Sequence, residues 1–210
     1  MAALISSEVI TDIKKYLYRL DSSASSERLE ALQQLQSLAK RYPSEVGDCI
    51  SRILSLLYEP GSAEEYQESL DILLRLISCR DESIAEMNVN RLLESPKSVE
   101  LFLDLLEHED LTVAVMVNQI LTEIHLRKAS TLEGLIQESP AGMNKLLQRL
   151  SDHSREEVRN QALVFVQQLT SSNEEMKKTV VFNEVSQAIS HSICSSHLLL
   201  HYMSLPCIGL

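Results

Sequence analysis

The sequence predicts an all-α protein, a right-handed α-solenoid of about four armadillo-like repeats. Residue composition, the spacing of apolar residues and a recurring segment together lead to this prediction. Of the 210 residues, 44% are hydrophobic but only 4% are aromatic, and tryptophan is absent. Leucine, glutamine, glutamate, serine and alanine recur along the chain, which is typical of packed helices rather than of strands.

A short segment reveals the repeat. Residues Glu94 to Pro96 recur 44 positions later as Glu138 to Pro140, and each copy precedes a short amphipathic segment and then a longer one. The longer segment also occurs twice nearer the start, and its last core position aligns across the units. That position holds Leu38, Leu76, Ile124 and Leu169. A period of roughly 45 residues is typical of armadillo or HEAT solenoids.

The first two units are each predicted to contain one long helix. Pro43 and Pro60 fall between periodic segments, where the missing backbone donor of proline costs least. Ser62 and Glu65 have the spacing of a capping box, which satisfies two backbone donors where the second long helix begins. The two helices carry apolar residues at helical spacing: Leu32, Leu35 and Leu38, then Leu70, Leu73 and Leu76.

The last two units follow Pro96 and Pro140, and each is predicted to have a short helix before its long one. Ser154 and Glu157 have capping-box spacing at the start of the fourth long helix. Short helix, turn and long helix follow one another from Gly142 to about residue 181, which favours the armadillo order over HEAT. The long helices carry Val113, Val117, Leu121 and Ile124, then Val158, Ala162, Val166 and Leu169. Because each unit alone exposes an apolar face, stacking should form the core.

The long helices lack one feature of peptide-binding armadillo proteins. Many armadillo repeats carry an asparagine just before the last core leucine, and these asparagines grip extended peptides. Here that position holds Ser37, Arg75, Glu123 and Gln168. We therefore expect the binding surface at helix edges and turns rather than in a peptide groove of the nuclear-import type.

Charge and hydropathy restrict the partners and the compartment. The net charge of -11 disfavours nucleic acid and anionic membranes and favours proteins with basic patches. No apolar stretch approaches the roughly 20 residues that span a bilayer, and the N-terminal apolar run is too short for a signal peptide. These features predict a cytoplasmic protein without a transmembrane segment. The four cysteines lack paired spacing, so we expect reduced thiols.

Enzyme signatures are absent from the sequence. It contains no glycine-rich phosphate loop, no H-E-x-x-H and no G-x-S-x-G, and it has only 5 glycines. We therefore predict a protein that binds other proteins, without catalysis and without a cofactor.

One cluster near the C-terminus holds metal-ligand residue types: His191, Cys194, His197 and His201. On one helix these four residues would share an arc of roughly 120°. Zinc sites usually join two chain segments, however, and no carboxylate lies nearby to orient a histidine ligand. We therefore favour a helix end with incidental histidines, and predict no metal.

Two segments resemble the head domain of the general vesicular transport factor family, golgin-like tethers of traffic between endoplasmic reticulum and Golgi. In the range from Ser139 to Phe182, the shared residues are Ser139, Pro140, Gly142, Ser154, Arg155, Glu156, Val158, Arg159, Asn160, Leu169, Thr170, Ser172, Asn173, Lys178, Val180 and Phe182. Nearer the start they are Arg28, Ala31, Leu35, Ser37, Leu38, Lys40, Tyr42, Glu45, Val46 and Gly47. The two segments occur in the family's order.

The resemblance implies a homodimeric cytosolic tether that docks peripherally on Golgi or transport-vesicle membranes. Its partners would be a Rab-type small GTPase and SNAREs or golgins. The chain would be a truncated form of the family head, with an armadillo-like repeat domain over residues 1–193. Residues 194–210 would form a short apolar tail outside the resemblance.

The resemblance also suggests partner-binding residues. Arg155, Arg159 and Asn160 lie at the start of the fourth long helix, and Lys177 and Lys178 follow on the next one. These positions fit a partner-binding edge. They also fit a solvated helix entrance with ordinary ion pairs between side chains.

Two other functions stay open on sequence grounds. The same fold would serve a generic armadillo adaptor, such as a co-chaperone that binds an ATPase domain. An enzyme or metalloprotein would have to depend on the C-terminal histidine and cysteine cluster alone.

Overall fold

The computed structural model describes residues 7–139, 141–150, 154–171 and 173–190, with side chains through residue 182. These residues form eleven α-helices and no strand. The helices are α1 (Ser7–Arg19), α2 (Ser25–Ala39), α3 (Pro43–Gly47), α4 (Ile50–Tyr58), α5 (Ala63–Ile77), α6 (Glu82–Leu93), α7 (Lys97–Leu105), α8 (Leu111–Glu138), α9 (Gly142–Leu150), α10 (Glu156–Ser171) and α11 (Glu174–Ser190).

Helix α8 is kinked at Lys128, whose backbone angles of φ -138° and ψ 50° are not helical. The kink divides α8 into a first arm, residues 111–127, and a second arm, residues 129–138. The first arm is the long helix of the third unit. The second arm takes the place of the short helix that opens the fourth unit.

With α8 divided in this way, the helices form a right-handed solenoid of about four armadillo-like units. The long helices α2, α5, α8 and α10 pack on one another in chain order. The helices α1, α4, α7 and α9 precede them, and α3 and α6 open the second and third units. The aligned core position is buried in every unit, at Leu38, Leu76, Ile124 and Leu169. The predicted fold class is confirmed.

Helix starts show why the chain divides where it does. At α5 the hydroxyl of Ser62 accepts a bond from the backbone N–H of Glu65 at 3.2 Å, and the Glu65 carboxylate accepts one from the Ser62 N–H at 2.9 Å. The predicted capping box is therefore present. Asp81 and Asp110 cap α6 and α8 in the same general way. Helix α10 begins two residues after Ser154.

Buried polar contacts join neighbouring units. Asn88 of α6 is fully buried, and its amide donates to the carbonyl oxygens of Pro43 at 3.1 Å and Leu76 at 3.0 Å. Gly47 makes room for this side chain, because a Cβ atom at that position would lie 2.1 Å from the Asn88 Oδ1. The absence of a side chain at Gly47 thus allows α3 and α6 to pack closely.

Within the described ranges, no helix is both long enough and apolar enough to cross a bilayer. The predicted domain boundary at residue 193 and the tail of residues 194–210 lie beyond the last described residue.

Candidate protein-interaction surface

An open groove of about 860 Å³ runs across the exposed sides of three long helices. It is formed by α5, α8 and α10, which belong to the second, third and fourth units. The groove is lined by Leu74, Ser78, Gln119, Thr122, Glu123, Glu156, Glu157, Asn160, Gln161 and Val164. Because successive units each contribute to it, the groove is a product of the stack rather than of any one repeat.

The charged side chains that line the groove are all acidic: Glu123, Glu156 and Glu157. Arg127, which is not one of the lining residues, binds the carboxylate of Glu123 at 2.6 Å. Arg159 lies 3.7 Å from Glu156. Glu157 is exposed and makes no ion pair with any residue in the described part of the chain. The groove therefore presents negative charge to a partner.

Arg155 helps to hold the stack together. Its Nη1 donates a hydrogen bond to the carbonyl oxygen of His108 at 2.9 Å, which joins the start of α10 to the turn after α7. The His108 ring in turn packs against Tyr66, with ring centroids 5.1 Å apart. The side chain of Arg155 is thus half-buried and already engaged, so its first role is structural.

The other two residues of the predicted edge on α10 face different surroundings. Arg159 is half-buried beside Glu156, whereas Asn160 is exposed and lines the groove. The structure thus separates the predicted trio of Arg155, Arg159 and Asn160. One residue links two units, one pairs within its helix, and one faces the groove.

Lys177 and Lys178 pair with glutamates in the first turn of α11. The Lys177 ammonium lies 2.5 Å from Glu174, and that of Lys178 lies 2.8 Å from Glu175. The hydrogen bond that Lys178 donates to Glu175 raises the pKa of the lysine above its ordinary value. Exposed pairs of this kind contribute little to stability. Both lysines stay available to a partner that displaces the glutamates.

A buried polar contact at the kink escaped the sequence analysis. His125 of the first arm of α8 lies 3.0 Å from Glu133 of the second arm, and both side chains are buried. Asn173, just before α11, donates to the other oxygen of Glu133 at 2.5 Å. In an unbroken helix, residues eight apart would be two turns away from each other. The contact can therefore be predicted only by an interpretation of the sequence that already places a kink between these two residues.

The side chains of the described residues do not form an evident centre for catalysis. Burial raises the pKa of the Cys49 thiol to about 12, and burial also raises the pKa of Cys79. Neither thiol is therefore an activated nucleophile at neutral pH. Among the described residues, no group of histidine, cysteine and carboxylate side chains is arranged to hold a metal ion. The cluster considered in the sequence lies outside the described residues: His191, Cys194, His197 and His201.

Comparison with known proteins identifies relatives of this chain. It is 30% identical over 192 residues to general vesicular transport factors of Homo sapiens and Bos taurus, which covers 84% of this chain and 20% of each relative. It is also 36% identical over 105 residues to Golgin candidate 6 of Arabidopsis thaliana. That match covers 50% of this chain and 11% of the golgin. No protein-family model matches the chain.

Solved structures agree in fold. A crystal structure of Uso1-2 superimposes with a TM-score of 0.75 at 15% identity, covering 89% of this chain and 32% of that one. A structure of Uso1-1 gives a TM-score of 0.74 at 15% identity, covering 88% and 33%. The chain spans about a fifth of the length of the curated relatives that it matches.

Proposed function

We propose that this chain, which is a homologue of the general vesicular transport factors, is a non-catalytic interaction module that acts in vesicle tethering. The observation that carries the proposal is the similarity over 84% of the chain, which extends through most of the repeats instead of being confined to one helix. The predicted resemblance to this family is thereby confirmed. The relatives are transport factors rather than enzymes, in agreement with the prediction of a non-enzyme.

Tethering requires a surface that captures other proteins, and the stack is suited to this task. Its long helices present a continuous face from α2 to α10, and the groove on that face crosses three units. Helical solenoids generally use such extended surfaces for binding. The mechanism we propose is therefore capture of protein partners without any chemical step.

The partner we propose first is a Rab-type small GTPase, with SNAREs or golgins as further partners. Binding to a membrane-anchored GTPase would place the protein peripherally on Golgi or transport-vesicle membranes, from the cytoplasmic side. The contact residues we propose are Arg159, Asn160, Lys177 and Lys178, with Arg155 supporting them from within the stack. Homodimerisation, and division into a repeat domain (1–193) and a tail (194–210), belong to the same proposal.

Co-precipitation with a panel of Rab proteins tests this function. Each GTPase is prepared in GTP-locked and GDP-locked forms and incubated with the full chain. We expect at least one Rab protein to be retained more strongly in its GTP form. Equal retention of both forms across the panel, or no retention at all, would contradict a GTPase-dependent tether.

The alternative is an armadillo adaptor that binds the ATPase domain of a chaperone. The same fold would serve it, but no observation on the described surface specifically favours it. A chaperone ATPase domain included in the co-precipitation distinguishes the two functions. If the chain retains that domain and binds no Rab protein in either nucleotide form, the adaptor function is supported and the tether function is wrong.

A further inference from the structure

We propose that the groove across α5, α8 and α10 binds an extended, lysine- or arginine-rich segment of a partner protein. This inference rests on the proposed function, because it names the chemistry of one partner contact of the same interaction module. It also revises the expectation from the sequence that binding is confined to helix edges and turns.

The charge of the groove selects a basic partner. Glu123, Glu156 and Glu157 line it, and none of its ten lining residues is basic. Two of the three carboxylates, those of Glu156 and Glu157, are largely exposed. They therefore keep their hydration until a partner arrives and can pair with lysine or arginine side chains. A partner of the same sign as the groove would be repelled, and the whole chain already carries a net charge of -11.

The neutral polar side chains favour an extended segment. Gln119, Asn160 and Gln161 also line the groove, and each carboxamide offers both a donor and an acceptor. An extended backbone has unpaired N–H and C=O groups that such amides can bind, whereas a helix has already paired most of its own. The asparagine that many armadillo repeats carry before the last core leucine is replaced by other residues in this chain. Asn160, nearer the start of α10, nevertheless supplies an amide to the groove across α5, α8 and α10.

Apolar contact completes the site. Val164 of α10 is 52% exposed, and Leu74 of α5 lines the groove from the second unit. Covering an exposed valine side chain with apolar atoms of a partner removes apolar surface from water, which favours binding. The aliphatic parts of lysine and arginine side chains can cover it while their charged ends reach the carboxylates.

A fluorescent peptide tests the proposal directly. The probe is a labelled dodecapeptide that repeats Lys-Ala-Arg-Ala three times, and its affinity for the full chain is measured by fluorescence anisotropy. The variant Glu156→Gln with Glu157→Gln removes two groove carboxylates at exposed positions. The matched control, Glu174→Gln with Glu175→Gln, makes the same charge change in the first turn of the neighbouring helix α11.

We expect the groove variant to bind the peptide roughly fivefold to tenfold more weakly than the wild type, since each exposed carboxylate contributes modestly. The control should stay within about twofold of the wild type. A peptide in which glutamate replaces lysine and arginine should not bind. Circular dichroism melting curves of both variants check that the fold is kept.

Three results would overturn the proposal: no binding of the basic peptide to the wild type, equal weakening in both variants, or equal binding of the acidic peptide. Capture of Rab proteins is scored on the same preparations. If the peptide fails to bind but GTP-dependent capture persists, the groove proposal is wrong and the tether survives. If the peptide binds the groove without any GTPase capture, the tether is wrong and the groove stands.

Discussion

His125 and Glu133 meet across the kink of α8, with the histidine Nε2 3.0 Å from the carboxylate Oε1. Their helix arms are separated by Lys128, whose backbone leaves the helical conformation. Asn173 adds a third side chain by donating to Glu133 at 2.5 Å. This contact therefore joins the last helix of the third unit to the first helix of the fourth, and Asn173 ties the start of α11 to the second of these.

Replacing Glu133 by alanine should destabilise the fold by about 2 to 4 kcal/mol, because it leaves the buried His125 and the half-buried Asn173 without their shared acceptor. Urea unfolding followed by circular dichroism measures this change. Glu138→Ala serves as the control, since Glu138 is exposed on the same arm of α8. If both variants unfold at the same urea concentration, the contact does not stabilise the kink.

Gly47 and Gly134 make a matched pair of glycine-to-alanine changes. At Gly47 the new Cβ would collide with Asn88, so Gly47→Ala should destabilise by about 1 to 3 kcal/mol. At Gly134, within α8, a Cβ meets nothing within 4 Å. Gly134→Ala should therefore stabilise by about 0.5 to 1 kcal/mol through helix propensity alone. Thermal unfolding of the two variants distinguishes close packing from propensity, and shifts of equal sign would refute the packing argument.

Glu65 should make stability depend on pH in the acidic range. Burial raises the pKa of its carboxyl, but bonds from Arg28 and the Ser62 backbone N–H outweigh this effect and keep the pKa below the ordinary 4.5. A lowered pKa stabilises the folded state above pH 4.5, and this contribution is lost as the pH falls through the folded-state pKa.

Glu65→Gln should therefore cost about 1 to 3 kcal/mol at pH 7, where the 2.8 Å pair with Arg28 is intact. The difference from the wild type should shrink as the pH approaches 3. Urea unfolding at several pH values measures it. A difference that stays constant over this range would mean that the Glu65 charge does not contribute.

Cys49 should resist alkylation in the folded protein. It is buried, and its pKa is raised to about 12, so almost no thiolate forms at pH 8. Cys79 is only half-buried and should react first of the two. Iodoacetamide labelling followed by peptide mass spectrometry measures the two rates. Addition of urea should expose Cys49, and rapid labelling without urea would contradict its burial.

Reversing the charge of Lys177 and Lys178 together should weaken capture of the GTP-locked Rab protein by roughly tenfold, if these lysines contact the partner as proposed. The fold should persist, because in the part of the chain that the structure describes both side chains pair with exposed glutamates of their own helix, and such pairs contribute little to stability. Lys14→Glu with Lys15→Glu is the matched control, an adjacent exposed pair on α1. If both double variants capture the Rab protein equally well, Lys177 and Lys178 are not part of the interface.

The sequence was most informative where local rules decide the outcome. Within a long helix the apolar residues, such as Leu32, Leu35 and Leu38, have the period of a helix, and Ser62 and Glu65 have the spacing of a capping box. Both features could be recognised without a structure. The fold class followed from them. The division of α8 was not predicted, because residues 111–138 contain no proline and the contact that supports the kink joins residues eight positions apart.

Surface predictions were limited for a related reason. Arg155 and Asn160 are close in sequence, but one reaches the carbonyl of His108 in the preceding unit and the other faces the groove. Which way a polar side chain points depends on the neighbouring repeat. Composition and spacing within α10 do not contain that information.

The packing of the long helices runs from each one to the next, from α2 through α5 and α8 to α10. A small rotation at one of these interfaces is carried along the stack and adds to the rotations at the others. The curvature of the described stack is therefore the sum of the rotations at these interfaces, while each helix keeps its own geometry. A partner lying across α5, α8 and α10 would contact a surface whose shape depends on both interfaces between those helices, so a change in the packing at either interface would alter the groove.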